Sequence, residues 1–384
     1  VDYLVLTSSQ PTWKDQEAEV LTVPFDFGDG PIYAALLTAR AAKLLPTLTS
    51  GTVYRLNDTD FLCEAWPHLG QGFRFLANTV PHVLGEGEQL VLPGRSSEEA
   101  VGPGEGLDFE EIAYLSTGSK KLGVLKADVD HLGLLFSEGL EPLTISRLAA
   151  LSGAIDRFFS GYINVLADAV SNEWKTHNGR EHPWCGKVSG LFYVTYSGGD
   201  DLLIIGPWDA VMALARCLEA DWRKYACQNP DVTLSAGVVL VKPHHPIQRM
   251  AIVVNAAEKR AKNDGRRRIH IFAQNVLWQP DGPEPGFGQI LDYARGLADA
   301  VGEQELPRSF VHYVGRLYDE HFIRKAVNGK PNLMFLPKLY YAVKRRVRKE
   351  VAESLGLMDM LWKCKMMWYA PVLVSYVSLI TRKE

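Results

Sequence analysis

Asp200 and Asp201 stand together at the end of "YSGGDD" (196–201), between the apolar runs "LFYVTY" and "LLIIG". Both runs are rich in Tyr, Val, Thr, Leu and Ile and read as short strands. The Gly198–Gly199 pair between them is a hairpin signal, because glycine takes positive φ without steric cost. Such a motif alone is most often a solvated turn. In a partly buried cleft, however, two carboxylates repel, and a divalent cation that prefers hard oxygen donors, magnesium or manganese, relieves the repulsion. That chemistry requires a second acidic strand end. "KLGVLKADVDHLG" (121–133) supplies one, a buried-strand pattern running into Asp128 and Asp130. Two such ends side by side form a two-metal cradle that can hold a triphosphate, activate a hydroxyl and stabilise the leaving oxygen. The backbone N–H groups of Val129, Asp130, His131, Leu132 and Gly133 are expected to hold phosphates as a helix N-terminus does. A Cβ at Gly198 or Gly199 is expected to crowd a nucleotide on the hairpin.

The elements that must position these groups follow in order. "TISRLAALSGAIDRFFSGYINVLADAV" has apolar residues at helical spacing, with Thr144 and Ser146 as candidate N-caps. The hairpin comes next, then a helix in "PWDAVMALARCLEADWRKYA", a strand in "VTLSAGVVLV", a helix in "PIQRMAIVVNAAEKRAKN" and a strand in "RRIHIFA". This order predicts one sheet with helices packed on a face.

"LGVLKADVDHLG", "TISRLAALSGAIDRFFSGYIN", "YVTYSGGDDLLIIGPWD", "TLSAGVV" and "AAEKRAKN" closely resemble the large palm subunit of type III CRISPR effector complexes. The III-A (Csm) branch fits best, and "FRFLANTVP" (73–81) and "FEEIAYLSTGS" (109–119) fit it too. The resemblance covers roughly residues 70–384 and extends more distantly to GGDEF cyclases and polymerase palms. It implies an α+β fold: a ferredoxin-like, polymerase-type palm over 106–278, an accessory α/β domain over 1–105 and a C-terminal helical domain over 279–384. For residues 1–105 the tail of a first palm and an inter-palm linker domain both stay open. The resemblance also implies that the palm joins ATP into cyclic oligoadenylates when target RNA is bound. Asp128, Asp200 and Asp201 would be the catalytic, metal-holding carboxylates. Ser197, the hairpin glycines, the 129–133 turn and Ser235 would contact the nucleotide. By similarity to the "AKxxGR" positions of GGDEF-like relatives, Lys262 and Arg266 would touch its phosphates; cations closing a helix are the plainer reading. His131 departs from the Asn usual at its position. No HD nuclease domain is encoded here, so a fragment is expected and DNA cleavage is not assigned. The implied partners are guide and target RNA, the guide-capping subunit and the small subunit.

Composition bounds the reading. A net charge of −4 argues against a chain that coats nucleic acid over its whole surface, and 47% hydrophobic residues suffice for real cores. Cys63, Cys185, Cys217, Cys227 and Cys364 are scattered, without the spacing of a zinc ribbon, which fits a reducing cytoplasm. No apolar run reaches membrane-spanning length. Glycine-rich "GRSSEEAVGPGEGLDFEE" (94–111) and "QPDGPEPGFGQ" (279–289) read as linkers. The stretch from His321 to Lys349 holds nine Lys or Arg and no Asp or Glu. Lys344, Arg345, Arg346 and Arg348 are its candidate contacts for RNA or a partner, weighed against a solvated helix face. Two further readings stay open: a catalytically silent RNA- and subunit-binding scaffold, and a free-standing diguanylate cyclase-like enzyme.

Overall fold

The computed structural model describes all residues except 1, 12, 14–19, 27–29, 64, 86–88, 177–180 and 383–384. The chain begins with β1 (Tyr3–Thr7), β2 (Val20–Asp26), β3 (Pro31–Leu37), β4 (Thr52–Leu56) and β5 (Gly70–Arg74), which form one sheet in the order β2-β3-β1-β4-β5. Val5, Ala35, Leu37, Leu45, Val53, Trp66 and Leu69 belong to its own small core.

A second sheet carries the candidate chemistry. It is built from α1 (Phe109–Tyr114), β6 (Leu122–Val129), α2 (Leu132–Ser137), α3 (Ile145–Asp156), α4 (Ile163–Thr176), β7 (Tyr193–Gly198), β8 (Asp201–Pro207), α5 (Trp208–Tyr225), β9 (Leu234–Val241), α6 (Ile247–Asn263), β10 (Arg268–Ile271) and β11 (Gln274–Leu277). The strand order is β11-β10-β9-β6-β8-β7. Within it β9-β6-β8-β7 are antiparallel neighbours, the arrangement a βαββαβ path gives in ferredoxin-like folds. The expected α+β palm architecture is what the chain forms. β10 adds a parallel strand through the α6 crossover, and β11 turns back on it.

The central strand β6 is covered on both faces, which explains its nearly unbroken apolar run. A Cβ at Gly123 would lie 2.8 Å from Val211 Cβ and 3.0 Å from Trp208 Cα, so glycine lets α5 sit close on one face. On the other face Lys126 faces Gly237 in register, and a Cβ at Gly237 would meet the Glu258 amide at 2.5 Å. That glycine brings α6, with its polar side chains, down onto the sheet.

The remaining helices are α7 (Phe287–Gly302), α8 (Arg308–Tyr318), α9 (Phe335–Arg346), α10 (Lys349–Ser354) and α11 (Ala370–Ile380). α11 packs against α7 and α8. It also reaches the palm: Tyr376 meets Trp208 edge-on at 5.5 Å, and Ser119 N–H donates to Leu379 O at 2.9 Å. One apolar core runs from the palm into these helices.

Three local expectations change. Residues 94–111 are not a loose linker: Leu107 is buried in the palm core, Val101 and Phe109 pack against it, and Arg95 pairs with Asp108, Glu110 and Glu111. The two cores therefore part between Leu69 and Ala77, well before residue 105. Thr144 caps α3, accepting from Arg147 N–H at 3.3 Å, whereas Ser146 lies inside the helix. Among the described residues no helix is long and apolar enough to cross a membrane.

Candidate active site

β7 and β8 pair Gly198 with Asp201, which leaves Gly199 and Asp200 as a two-residue turn. Gly199 has φ +65°, and a Cβ there would meet nothing within 4 Å. Glycine is thus demanded by the backbone, as at the first position of a hairpin turn, and the space before it is open. Gly198 differs: its Cβ would lie 3.2 Å from Ser160 Oγ, so its constraint comes from the neighbouring helical segment rather than from a nucleotide.

Register brings the carboxylates together. Asp128 on β6 lies opposite Asp201 on β8, and Val129 N–H donates to Asp200 O at 3.1 Å, tying the turn to the strand end. Cations reach this cluster from α6, which carries Lys262, and from β6, which carries Lys126. Lys262 Nζ is 2.7 Å from Asp128 Oδ1 and 2.8 Å from Glu258 Oε1. Lys126 Nζ is 3.8 Å from Asp201 Oδ2 and donates to Asn255 Oδ1 at 2.6 Å. Tyr196 OH donates to Asp201 Oδ2 at 3.1 Å.

These contacts set the proton affinities. Burial pushes the Asp128 carboxyl above its ordinary range; Lys262 draws it back, and the charges of Asp200 and Glu258 push it up again. Burial works against the Lys262 ammonium, but its bonds to Asp128 and Glu258 prevail and raise its pKa. Burial, then the charge of Asp201, makes the Tyr196 phenol a much weaker acid.

Several expected contacts fall elsewhere. Asp130 is buried and accepts from Thr233 Oγ1 at 2.7 Å, Ser235 Oγ at 2.7 Å and Arg267 N–H at 3.2 Å. Its carboxylate holds β9 to the turn after α6 and is spent there, so it is not a cradle oxygen. Ser235 is fully buried in that bond and lines no nucleobase pocket. Ser197 Oγ is likewise committed, donating to Phe159 O at 2.7 Å. The Val129 and Asp130 amides donate to Asp200 O and Thr233 O, so of the phosphate-holding turn only His131, Leu132 and Gly133, which open α2, stay outside those two bonds. His131 has φ +55° and borders a cleft of about 570 Å³ with Thr233, Arg266 and Arg267. Arg266 is half-buried, its Nε 4.0 Å from Asp130 Oδ1.

Among the described residues no three His, Cys, Asp or Glu side chains converge closely enough to hold a metal ion. The donors nonetheless suit a hard divalent cation: Asp128 and Asp201 face each other, and Asp200 is near enough to raise the Asp128 pKa. Lys262 now balances the charge of Asp128, so an ion there fits once that ammonium moves away.

The basic residues lie apart from this sheet, on the C-terminal helices. Lys344 sits over Tyr340, Arg345 over Tyr341 and Arg346 over Tyr313, and Arg348 is 4.0 Å from Glu305. Tyr340 and Tyr341 are exposed, whereas Trp362 and Trp368 stack at 6.0 Å against the core. Sequence reading missed Lys126, Tyr196 and Glu258. Two had a signal: Lys126 shares a strand face with Asp128, and Glu258 is one helical turn before Lys262.

Residues 121–270 match the family described as Cas10/Cmr2, second palm domain. A relative from Methanocaldococcus jannaschii, named CRISPR system single-strand-specific deoxyribonuclease Cas10/Csm1 (subtype III-A), is 43% identical over 161 residues, 41% of this chain and 19% of the relative. The protein of that name from Thermococcus onnurineus is 35% identical over 175 residues, 44% of this chain and 21% of the relative. In solved structures, a Csm1–Csm4 cassette in complex with pppApApA superposes with TM-score 0.63 at 21% identity, over 94% of this chain and 49% of that one. The matched region is thus about a fifth of the curated relatives and half of the solved chain.

Proposed function

We propose that this chain carries the second palm of a Cas10-family protein, the large subunit of type III-A CRISPR effector complexes, and that the palm joins ATP molecules into cyclic oligoadenylates once target RNA is bound. The observation that supports this most is the placement of Asp128 opposite Asp201, with the Gly199–Asp200 turn bonded to the end of β6. The likeness to cassettes described in complex with ATP and with cA4 agrees with it.

In the proposed reaction the 3′-oxygen of one ATP bonds to the α-phosphorus of another, the bond to the β-phosphate oxygen breaks, and pyrophosphate leaves. A magnesium or manganese ion held by Asp128, Asp200 and Asp201 would supply the Lewis acidity that favours the alkoxide and the departing pyrophosphate. The chain's own part is positioning and charge. Lys262, exchanging Asp128 for phosphate, and Arg266 balance the triphosphate. The amides of His131, Leu132 and Gly133 point their dipoles at it. Gly199 leaves room for the nucleotide at the hairpin, and Lys126 and Tyr196 hold the Asp201 carboxylate in place.

The basic segment around Lys344, Arg345, Arg346 and Arg348 is proposed to face guide RNA or its capping subunit within a multisubunit complex in the cytoplasm. Incubation of the chain in a reconstituted complex that has bound target RNA, with manganese and either ATP or GTP, tests the reading. Oligoadenylate from ATP alone supports it, cyclic dinucleotide from GTP would identify a diguanylate cyclase-like enzyme, and no product from either would leave the scaffold.

A further inference from the structure

The helix that runs beside the hairpin is not continuous. Between α3 and α4 the chain makes a π-turn over Arg157–Tyr162, an insertion that disrupts the regular carbonyl ladder and is common at functional sites. The hairpin is fastened to this turn. Ser197 Oγ donates to Phe159 O at 2.7 Å, Gly199 N–H donates to Asp156 Oδ1 at 3.3 Å, and Ser160 Oγ donates to that same Oδ1 at 2.8 Å. Gly198 closes the contact, because a side chain there would run into Ser160.

The π-turn is itself held rigidly. Phe158 and Phe159 are buried, and their rings lie 5.0 and 5.5 Å from that of Trp222 on α5. Tyr162 OH donates to Asp221 Oδ2 at 2.9 Å, and Tyr225 OH donates to Ala154 O at 2.8 Å. Asp156 is the exception: it is exposed, yet its carboxylate points back to the one turn that carries Asp200.

We propose that Asp156 and Ser160 are positioning residues that fix the Gly199–Asp200 turn and so aim the hairpin carboxylates at the divalent ion and nucleotide. The proposal deepens the nucleotidyl-transfer reading and rests on it. Asp156 acts by offering an acceptor oxygen, so an amide oxygen at the same place should serve almost as well. A small displacement of Asp200 should cost turnover more than ground-state binding of ATP.

The test compares the full chain with Asp156→Ala, Asp156→Asn and Ser160→Ala. Manganese binding and amide hydrogen exchange over residues 193–205 are measured without nucleotide, and kcat and KM for ATP separately. For Asp156→Ala we expect hairpin exchange to quicken, the manganese Kd to rise about tenfold and kcat to fall about ten- to a hundredfold with KM little changed. Asp156→Asn should recover most of each loss, and Ser160→Ala should move all three readouts the same way by less, which keeps the test valid if Asp156→Ala misfolds. Wild-type exchange and manganese affinity in both alanine variants would overturn the proposal. So would an asparagine variant as impaired as the alanine, because the negative charge itself would then be what matters. If even the wild-type chain, assembled in a complex with target RNA bound, makes no oligoadenylate, the activity reading fails, while the two nucleotide-free measurements still decide the positioning role.

Discussion

Replacing Lys262 by methionine keeps its apolar stem and removes the ammonium lying 2.7 Å from Asp128 and 2.8 Å from Glu258. The Glu258 side chain is 5% exposed and that of Asp128 22%. Breaking a fully buried pair from one side costs about 3–5 kcal/mol; because Lys262 and Asp128 are partly wet, screening lowers this to about 2 kcal/mol. The pH dependence has a definite sign. Without Lys262, burial and the charge of Asp200 act unopposed on Asp128, and its folded-state pKa climbs further above the unfolded value. The folded state then holds a proton the unfolded state has released, so stability falls as pH rises through that window. Urea unfolding should show the variant about 2 kcal/mol less stable near pH 7.5 and the deficit shrinking towards pH 5. Manganese should recover part of the deficit at the higher pH, since the ion binds where the ammonium was and only in the folded state. An equal deficit at both pH values, or none at the higher, would refute the idea that Lys262 neutralises this cluster.

Asp200→Ala combined with Asp201→Ala should abolish oligoadenylate synthesis while changing urea stability by no more than about 1 kcal/mol, as expected for part-exposed carboxylates that repel each other; product at the wild-type rate would displace the site. Neutralising Lys344, Arg345, Arg346 and Arg348 together should weaken RNA binding or complex assembly and flatten its salt dependence in a filter-binding series, because phosphate contacts release counterions. An unchanged salt slope would make the segment a solvated helix face. His182 has its pKa lowered from 6.5 to about 4, by burial and then by the charge of Lys120. The unfolded state therefore takes up a proton the folded state refuses, and about 1–2 kcal/mol of stability should drain away as pH falls through that window. His182→Gln should abolish that part of the acid sensitivity, and an unaltered urea-midpoint profile against pH would count against the assignment.

Much of this was legible in residue order because the signals were local. β6 announced itself by an apolar run ending in Asp128, and the β7–β8 hairpin by two glycines between alternating strands. What escaped depended on distant partners or on irregular backbone. The β10–β11 hairpin turns through Phe272 and Ala273, with φ +48° and +60°, where no Asn-Gly pair flags it. Asp130 shares the parity of Asp128, yet Thr233 and Ser235, more than a hundred residues later, capture it. No residue type marks where a π-turn interrupts a helix, so the proximity of Asp156 and Ser160 to the hairpin had no signal in residue order. Residues 94–111 look like a linker by composition, but Leu107 is buried in the palm core and Val101 and Phe109 pack against it.

The most direct test of the central claim is mass spectrometry of the products formed from ATP by this chain in a reconstituted complex, with and without matching target RNA. Cyclic oligoadenylate and pyrophosphate are expected when target RNA is present, and both should be lost in the Asp200→Ala, Asp201→Ala double variant. ATP returned unchanged by a complex that has bound its target, or adenylate product undiminished in that variant, would contradict the claim.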